Sequence, residues 1–401
     1  MSASDRPRCR LVVAKIASRC NLNCSYCYMY NMGDQTYREQ PKVMSDATLD
    51  SMVDRCAEHC LIHGIPHFTF ALHGGEPLLA GAARFERLIA RARQRFATIS
   101  VATRFILQTN GVLLNDAWCE SLKAWGVRVG VSVDGPADVH NLQRMTHSGM
   151  GSYESVVAGF KCAQIHGLKP GLLTVIDPAS DPHEAFVHLK ALRPNLVDFL
   201  LPEGNHALPP KGLSLGSSGT PYADWLLKVF ELWWNEASPP FRVRLFEQIM
   251  GATMGLPFRS DALGNQENEV LVVETNGDIG PVDVLRVVLP GASRTGINIE
   301  THSLDEGLRQ STVAMYHGSH NSLCAQCRRC PINEICGGGY LPHRFAPRTG
   351  FANPSVYCRD LTLLITAIRA RALALLPAAV CEQANLRPLS FEQALAVQQT
   401  S

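Results

Sequence analysis

Short apolar runs alternate with helical patterns through the first half of the chain. Strands are expected at Leu11–Ile16, His67–Leu72, Thr103–Gln108, Val127–Val133, Gly171–Ile176 and Leu196–Leu201. Between them, apolar residues recur at helical spacing over Asp46–His63, Ala83–Phe96, Asp116–Trp125, Tyr153–His166 and Pro182–Leu192. Such alternation predicts an α/β fold of parallel strands joined by right-handed crossovers. Six strands are too few for a complete eight-stranded barrel and suffice for a partial one. The segment Asp46–His63 shows the reasoning. Ser45 is an N-cap, Leu49, Met52, Val53, Cys56 and Cys60 recur every three or four residues, and Gly64 closes the helix. Cys56 and Cys60 with His59 offer metal ligands, but on the apolar stripe core packing is the better reading.

The second half is less regular. Glu203–Thr220, rich in Gly, Pro and Ser, reads as a linker or lid, followed by a Trp-bearing helix at Tyr222–Glu236. Glu269–Gly277 reads as a strand ending in the turn Thr275-Asn276-Gly277-Asp278, a hairpin sequence. Beyond Asn321 the chain is rich in cysteines and turns until a helix from Leu361 to about Leu376. These changes divide the chain at 1–225, 226–268, 269–360 and 361–401.

Composition narrows the function. With 46% hydrophobic and 18% charged residues over 401 positions, neither a disordered chain nor a coiled coil fits. Lys+Arg 37 against Asp+Glu 36 leaves no basic field for nucleic acid or an anionic membrane. Met1 to Arg10 lacks the apolar region of a signal peptide, and Leu361–Val380 is interrupted by Arg369, Arg371 and Pro377. A cytoplasmic location is therefore expected. Fourteen cysteines then need a reason other than disulfides. Six are dispersed (9, 56, 60, 119, 162, 381), whereas Cys20, Cys24 and Cys27 form one group and Cys324, Cys327, Cys330, Cys336 and Cys358 another. Dispersed cysteines fit a core, and grouped ones fit metal or redox chemistry.

Three thiolates on the loop Cys20-Asn21-Leu22-Asn23-Cys24-Ser25-Tyr26-Cys27 can hold three irons of a cubane and leave the fourth open. Zinc would need a fourth ligand from elsewhere. The loop follows the first expected strand, a position that favours catalysis in barrel folds. The C-x3-C-x2-C pattern with Tyr26 before the third cysteine resembles the radical S-adenosylmethionine (SAM) enzymes. That resemblance implies a partial (β/α)6 barrel and a [4Fe-4S] cluster whose open iron chelates SAM. Reductive cleavage of SAM would then yield methionine and a 5′-deoxyadenosyl radical that abstracts hydrogen from substrate.

Gly74-Gly75-Glu76-Pro77 after the second strand resembles the family's motif for the methionyl amino group. Glycines there let backbone approach the ligand, and Glu76 offers an acceptor. Gln108, at the end of the third strand, and Ser132, at the end of the fourth, look like further SAM contacts. Arg144 looks like a contact to the SAM carboxylate, its alternative being an ordinary surface arginine.

Cys327, Cys330, Cys336 and Cys358 resemble one half of the SPASM extension of peptide-modifying radical SAM enzymes, implying one auxiliary [4Fe-4S] cluster. The full pattern holds two. Val282 and Tyr340 stand where it would have further cysteines, so one auxiliary cluster is expected. Cys324 is a spare thiol or an alternative ligand. Asp283 follows Val282 and matches the place of a proton-accepting aspartate in sulfatase-maturing relatives. A plain turn aspartate is the other reading.

Ser303-Leu304-Asp305-Glu306, Cys336-Gly337-Gly338-Gly339 with His343-Arg344, and Asn353 to Cys358 resemble maturases that build three-residue cyclophanes in ribosomal peptides. The implied partners are a short precursor peptide and an electron donor such as flavodoxin or ferredoxin. Epimerisation, thioether formation and formylglycine formation are the alternative radical outcomes; an iron-sulfur carrier or zinc-stabilised binding protein is the non-enzymatic one.

Overall fold

The computed structural model describes residues 7–214, 216–258 and 260–399, so Met1 to Arg6 lie outside the described residues. Six strands form where the alternation places them: β1 (Leu11–Ala17), β2 (His67–Gly74), β3 (Ala102–Thr109), β4 (Arg128–Ser132), β5 (Gly171–Val175) and β6 (Leu196–Leu200). β7 (Arg242–Val243), β8 (Val270–Val273), β9 (Asp278–Gly280) and β10 (Ile297–Asn298) follow. Contacts group the chain into two units. The first comprises residues up to Val133, Ala137–Leu173 and Glu269–His317; the second comprises Asp134–Pro136, Thr174–Asn268 and the chain from Gly318.

In the first unit the strands run β10-β9-β8-β1-β2-β3-β4-β5. β1 to β5 are parallel to their neighbours. The connecting helices are Asp46–His63, Ala82–Ala97, Asp116–Ala124 and Tyr153–Ile165, with a short additional helix, Ala137–Gln143, that no apolar stripe announces. Residues 269–317 join this unit rather than the cysteine-rich segment that follows them. The reason is β8, which lies parallel beside β1 with Leu11 opposite Val270 and Ala14 opposite Val273. The expected hairpin is present: β8 and β9 are antiparallel, and Gly277 takes the positive φ of 88° that its turn requires.

Alternation along β2 sends Phe68, Phe70 and Leu72 to one fully buried face. Phe68 and Phe70 meet Phe96 of helix Ala82–Ala97 at ring separations of 5.7 and 5.6 Å, and Phe105 of β3 stacks on Phe70 at 5.7 Å. Burying each such ring is worth about 1.5–3 kcal/mol. Ser45 caps helix Asp46–His63 by accepting from Thr48 N, and Gly64 ends it at φ 60°. Cys56 and Cys60 are core residues, as their stripe predicts. His59 accepts the Cys9 amide at Nε2 and so presents Nδ1–H to Asp305 at 2.7 Å, a structural role rather than a metal site.

The second unit is mostly helical around the β6–β7 pair. Helix Pro221–Trp234 buries Tyr222, Trp225, Leu226, Val229, Phe230 and Trp233, packing on helices Pro182–Leu192 and Cys358–Leu373, with Phe230 and Trp233 meeting Phe246 of Arg244–Thr253. Asp360 accepts the amides of Tyr222 and Ala223 at 2.8 and 2.9 Å, capping the first turn from a distant part of the chain. The Gly/Pro-rich segment 203–220 is tied down at its start. Asn205 accepts the amides of Ala207 and Leu208, and His206 meets the Pro354 carbonyl at 2.9 Å. Among the described residues, no helix is long and apolar enough to cross a membrane.

Candidate active site

The first unit gathers the loops at the C-terminal ends of β1 to β4, where a parallel sheet places ligands. Cys20, Cys24 and Cys27 lie on the β1 loop, with Cys24 buried and the other two half-buried. That loop is held from two sides. Asn23 N donates to the Met145 carbonyl (2.7 Å) and Ser25 N to the Gln143 carbonyl (2.9 Å). On the other side Gly75 N donates to Ala17 O (2.8 Å) and Glu76 N to Arg19 O (2.9 Å). A Cβ on Gly74 would stand 2.1 Å from Ala17 O, and one on Gly75 1.9 Å from the Tyr30 hydroxyl. The two glycines are therefore a packing requirement of the cysteine loop. Pro77 starts the short turn Pro77–Ala80, where its missing amide costs nothing.

Glu76 is fully buried. Its Oε1 accepts from Thr109 Oγ1 (2.7 Å) and Leu78 N (3.1 Å), and its Oε2 from Asn110 N (2.8 Å). Burial raises its pKa, against the pull of those donors and Arg144. The carboxylate expected to await a ligand thus ties the β2 loop to the end of β3 and keeps little acceptor capacity in reserve. Its partners Thr109 and Asn110 follow Gln108 in the Gln108-Thr109-Asn110-Gly111 stretch at the end of β3. Asn110 Nδ2 also lies 3.6 Å from Cys20 Sγ. Gln108 donates to Ser132 Oγ at 2.9 Å across β3 and β4. Arg144 is not a surface arginine. It is only 7% exposed, and its Nη1 donates to the Tyr26 hydroxyl at 2.6 Å, because the 143–146 segment pairs with the cysteine loop.

Asp283 sits in the same unit, at the start of the turn Asp283–Val287, and is buried. Its carboxylate forms an ion pair with Lys15 of β1, which is 1% exposed, and accepts from the Tyr28 hydroxyl at 3.0 Å. Lys15 also lies 3.0 Å from Nδ1 of His73, its register partner on β2. Burial opposes the charge on Asp283, but Lys15 and His73 hold its pKa at about 2. His73 is lowered to about 4 by burial and by Lys15, so its ring is neutral at pH 7. Asp283 is thus held ionised as one member of a buried ion pair, which the plain turn reading does not cover. A lysine on an inward position of an apolar strand was the available clue.

In the second unit Cys327, Cys330, Cys336 and Cys358 line one cavity with Gln326, Ser355, Thr362 and Gln398; Cys324 is not among its lining residues. Cys358 opens helix Cys358–Leu373, where the helix dipole favours a thiolate. Gly337, Gly338 and Gly339 all have positive φ (61°, 82° and 71°), which folds the chain back on Cys336, whose carbonyl accepts the Gly339 amide at 3.0 Å. A Cβ on Gly337 would stand 1.7 Å from Gly264 O, so no other residue fits there.

Both cysteine sets suit iron-sulfur clusters. Burial pushes the thiols up, to about 12 for Cys20 and about 11 for Cys27 in one set, and to about 12 for Cys336 and Cys358 in the other. Crowded, buried thiolates need metal to carry their charge. Spacing argues against a single zinc. At a Zn–S distance of 2.3 Å, tetrahedral ligands lie about 3.8 Å apart. Among the described residues, neither set places three sulfurs within 4.8 Å of one another.

Residues 15–188 match the radical SAM superfamily. The chain carries a radical SAM domain and is an enzyme of that class. SAM and [4Fe-4S] clusters are accordingly its cofactors. This radical SAM enzyme is 26% identical over 370 residues to a cysteine-type anaerobic sulfatase-maturating enzyme of Clostridium perfringens, covering 88% of this chain and 94% of that one. A serine-type anaerobic sulfatase-maturating enzyme of Bacteroides thetaiotaomicron is 27% identical over 372 residues, covering 86% and 85%. Among solved structures, native anSMEcpe with bound AdoMet superposes with a TM-score of 0.78 at 23% identity, covering 91% of this chain and 98% of that one. Streptococcus suis SuiB bound to precursor peptide SuiA gives 0.58 at 14% identity, covering 88% and 76%. These likenesses establish the partial (β/α)6 barrel with a cysteine-rich C-terminal region.

Proposed function

We propose that this radical SAM enzyme matures a ribosomally made precursor peptide by joining the β-carbon of one residue to a nearby aromatic ring, closing a three-residue cyclophane. Peptide-acting relatives support the substrate class: sulfatase maturation is named for two of them, and a precursor peptide is bound in the SuiB structure. What supports the finer reading is the C-terminal region, where Cys336, Gly338, Ser355 and Cys358 of the cyclophane-like motifs line a four-cysteine cavity. Val282 and Tyr340, both 8% exposed, occupy apolar core where a second auxiliary cluster would need cysteines.

In this reading Cys20, Cys24 and Cys27 hold three irons and leave one for SAM, while Cys327, Cys330, Cys336 and Cys358 hold the auxiliary cluster. When bound, the first cluster and SAM supply the 5′-deoxyadenosyl radical that takes the peptide's β-hydrogen. Tyr26 and Arg144 orient SAM, and Glu76 keeps the loops after β2 and β3 together. The new carbon–carbon bond leaves the ring with one proton and one electron to lose. With that electron passed to an acceptor, such as the auxiliary cluster that Cys327, Cys330, Cys336 and Cys358 would hold, the ring is a strong acid, so a weak base suffices. Asp283 stays ionised at neutral pH and accepts this proton at Oδ2, with Tyr28 beside it. An external donor such as flavodoxin or ferredoxin supplies the electron that starts each cycle.

Formylglycine formation is the second reading, favoured by the two sulfatase-maturating relatives. Mass spectrometry of the co-expressed peptide tests both. Cyclophane closure removes about 2 Da per ring and blocks fragmentation across three residues, since the radical is quenched on carbon rather than by hydrogen return. An aldehyde captured by a hydroxylamine probe would instead establish formylglycine. Unchanged mass with an inverted α-carbon would establish epimerisation.

A further inference from the structure

Arg344 is the largest of the fully buried side chains among the described residues, at 0% exposure. Its surroundings do not neutralise it. Nη2 donates to the Ser319 carbonyl at 2.9 Å, whereas Nε and Nη1 are buried with no hydrogen-bond partner. No carboxylate pairs with it among the described residues. A Cβ on Gly338, which lines the four-cysteine cavity, would stand 3.1 Å from Nη1, and the sulfurs of Cys327, Cys324 and Cys336 favour the guanidinium's charge. A buried cation without a charged partner is costly, so its persistence behind Gly338 of the cysteine cavity needs a counter-charge. Gln398 supplies a second donor: its Nε2 reaches Cys330 Sγ at 3.2 Å and Thr362 Oγ1 at 3.0 Å. It comes from the C-terminal helix Phe391–Gln399 and is 6% exposed.

We propose that Arg344 is the counter-cation of the auxiliary cluster and that, together with Gln398, it raises that cluster's reduction potential so that the cluster accepts an electron. The inference rests on the four-cysteine cluster proposed above. Its physical basis is charge. A [4Fe-4S] core on four thiolates is a dianion when oxidised and a trianion when reduced, so a fixed buried cation stabilises the reduced form more. Hydrogen bonds to cluster sulfurs act in the same direction. Arg344 therefore works through the cluster as a positioning and tuning residue and touches no substrate. An auxiliary cluster made easier to reduce suits cyclophane closure, which leaves one electron to be collected from the ring.

The test is an EPR-monitored redox titration of the full chain with Cys20, Cys24 and Cys27 replaced by Ala, so that only the auxiliary cluster contributes. In that background Arg344→Met should keep about four irons and lower the cluster's affinity for an electron at least tenfold, a shift of 59 mV for one electron. Arg344→Lys, which keeps the charge, should stay near the parent. Gln398→Leu should shift in the same direction by less. If Arg344→Met loses its iron, the neutral Arg344→Gln takes its place and must show the same fall. Iron retained with an unchanged potential in the neutral variant overturns the inference and leaves the cluster assignment standing. A background protein that binds no iron overturns the cluster assignment itself.

Discussion

The two cysteine regions solve opposite problems with the same ligand. At the β1 loop three cysteines lie within eight residues, and polar contacts from the ends of β2 and β3 and from the 143–147 segment converge on them. In the second unit the candidate ligands spread from Cys327 to Cys358 around one cavity, with the buried Arg344 behind its Gly338. In the proposed reading the first arrangement would leave coordination open amid hydrogen-bonding groups, and the second would saturate it amid core. An open site can exchange a ligand, and a closed one can only change charge. That contrast is the reason SAM chemistry is proposed for the first region and electron handling for the second.

The largest expected effect comes from emptying the open site. Cys20→Ala, Cys24→Ala and Cys27→Ala together should abolish 5′-deoxyadenosine formation while iron falls from about eight to about four per chain. Undiminished SAM cleavage by the triple variant would end the assignment. The reciprocal change, Cys336→Ala, should remove about four irons and lower the thermal midpoint as well, because metal-binding free energy at a closed structural site is folding free energy. If both variants lose equal stability, the open and closed regions do not differ in the way argued.

Next in size is Asp283→Asn. Removing one member of a buried ion pair leaves Lys15 uncompensated, at a cost of about 3–5 kcal/mol. The variant should still make 5′-deoxyadenosine and give little cross-linked peptide. The stability effect has a defined pH dependence. The folded pKa of about 2 lies below the unfolded value of about 3.9, so the contribution is fully present above pH 5 and disappears as pH falls through 2. Urea unfolding of the apo chain should therefore show the wild-type and variant midpoints converging below pH 4. A gap that stayed constant to pH 2 would mean that Asp283 is not held low by Lys15.

Local pattern carried most of the first unit. Helix Asp46–His63 begins and ends where Ser45, Gly64 and its apolar stripe place it, because caps and periodicity are properties of neighbouring residues. Pairings between distant segments were not legible. Nothing local says that Val270–Val273 adds to β1, that Arg144 reaches Tyr26, or that Asp360 caps Pro221–Trp234. The same holds for chemistry. Cysteine spacing pointed to both sites, yet Lys15, Thr109 and Gln398 act through tertiary contacts and read in sequence as single polar residues in ordinary places.

The smallest expected effect is at Cys324, and it sets the sharpest limit on the closed site. Cys324 precedes helix Ala325–Arg329 and interacts with the Cys327 sulfur, close enough for a one-step slip in the ligand register. The cavity, however, is lined by Cys327, Cys330, Cys336 and Cys358 without it. With four thiolates the cubane is already saturated, so a fifth sulfur contributes charge nearby rather than a bond. Cys324→Ser should then keep about eight irons per chain and shift the thermal midpoint by little, while Cys327→Ser loses about four irons. Loss of iron by Cys324→Ser with retention by Cys327→Ser would reverse the register. The closed site would then use Cys324, Cys330, Cys336 and Cys358, and the donor geometry inferred from the present cavity would have to change with it.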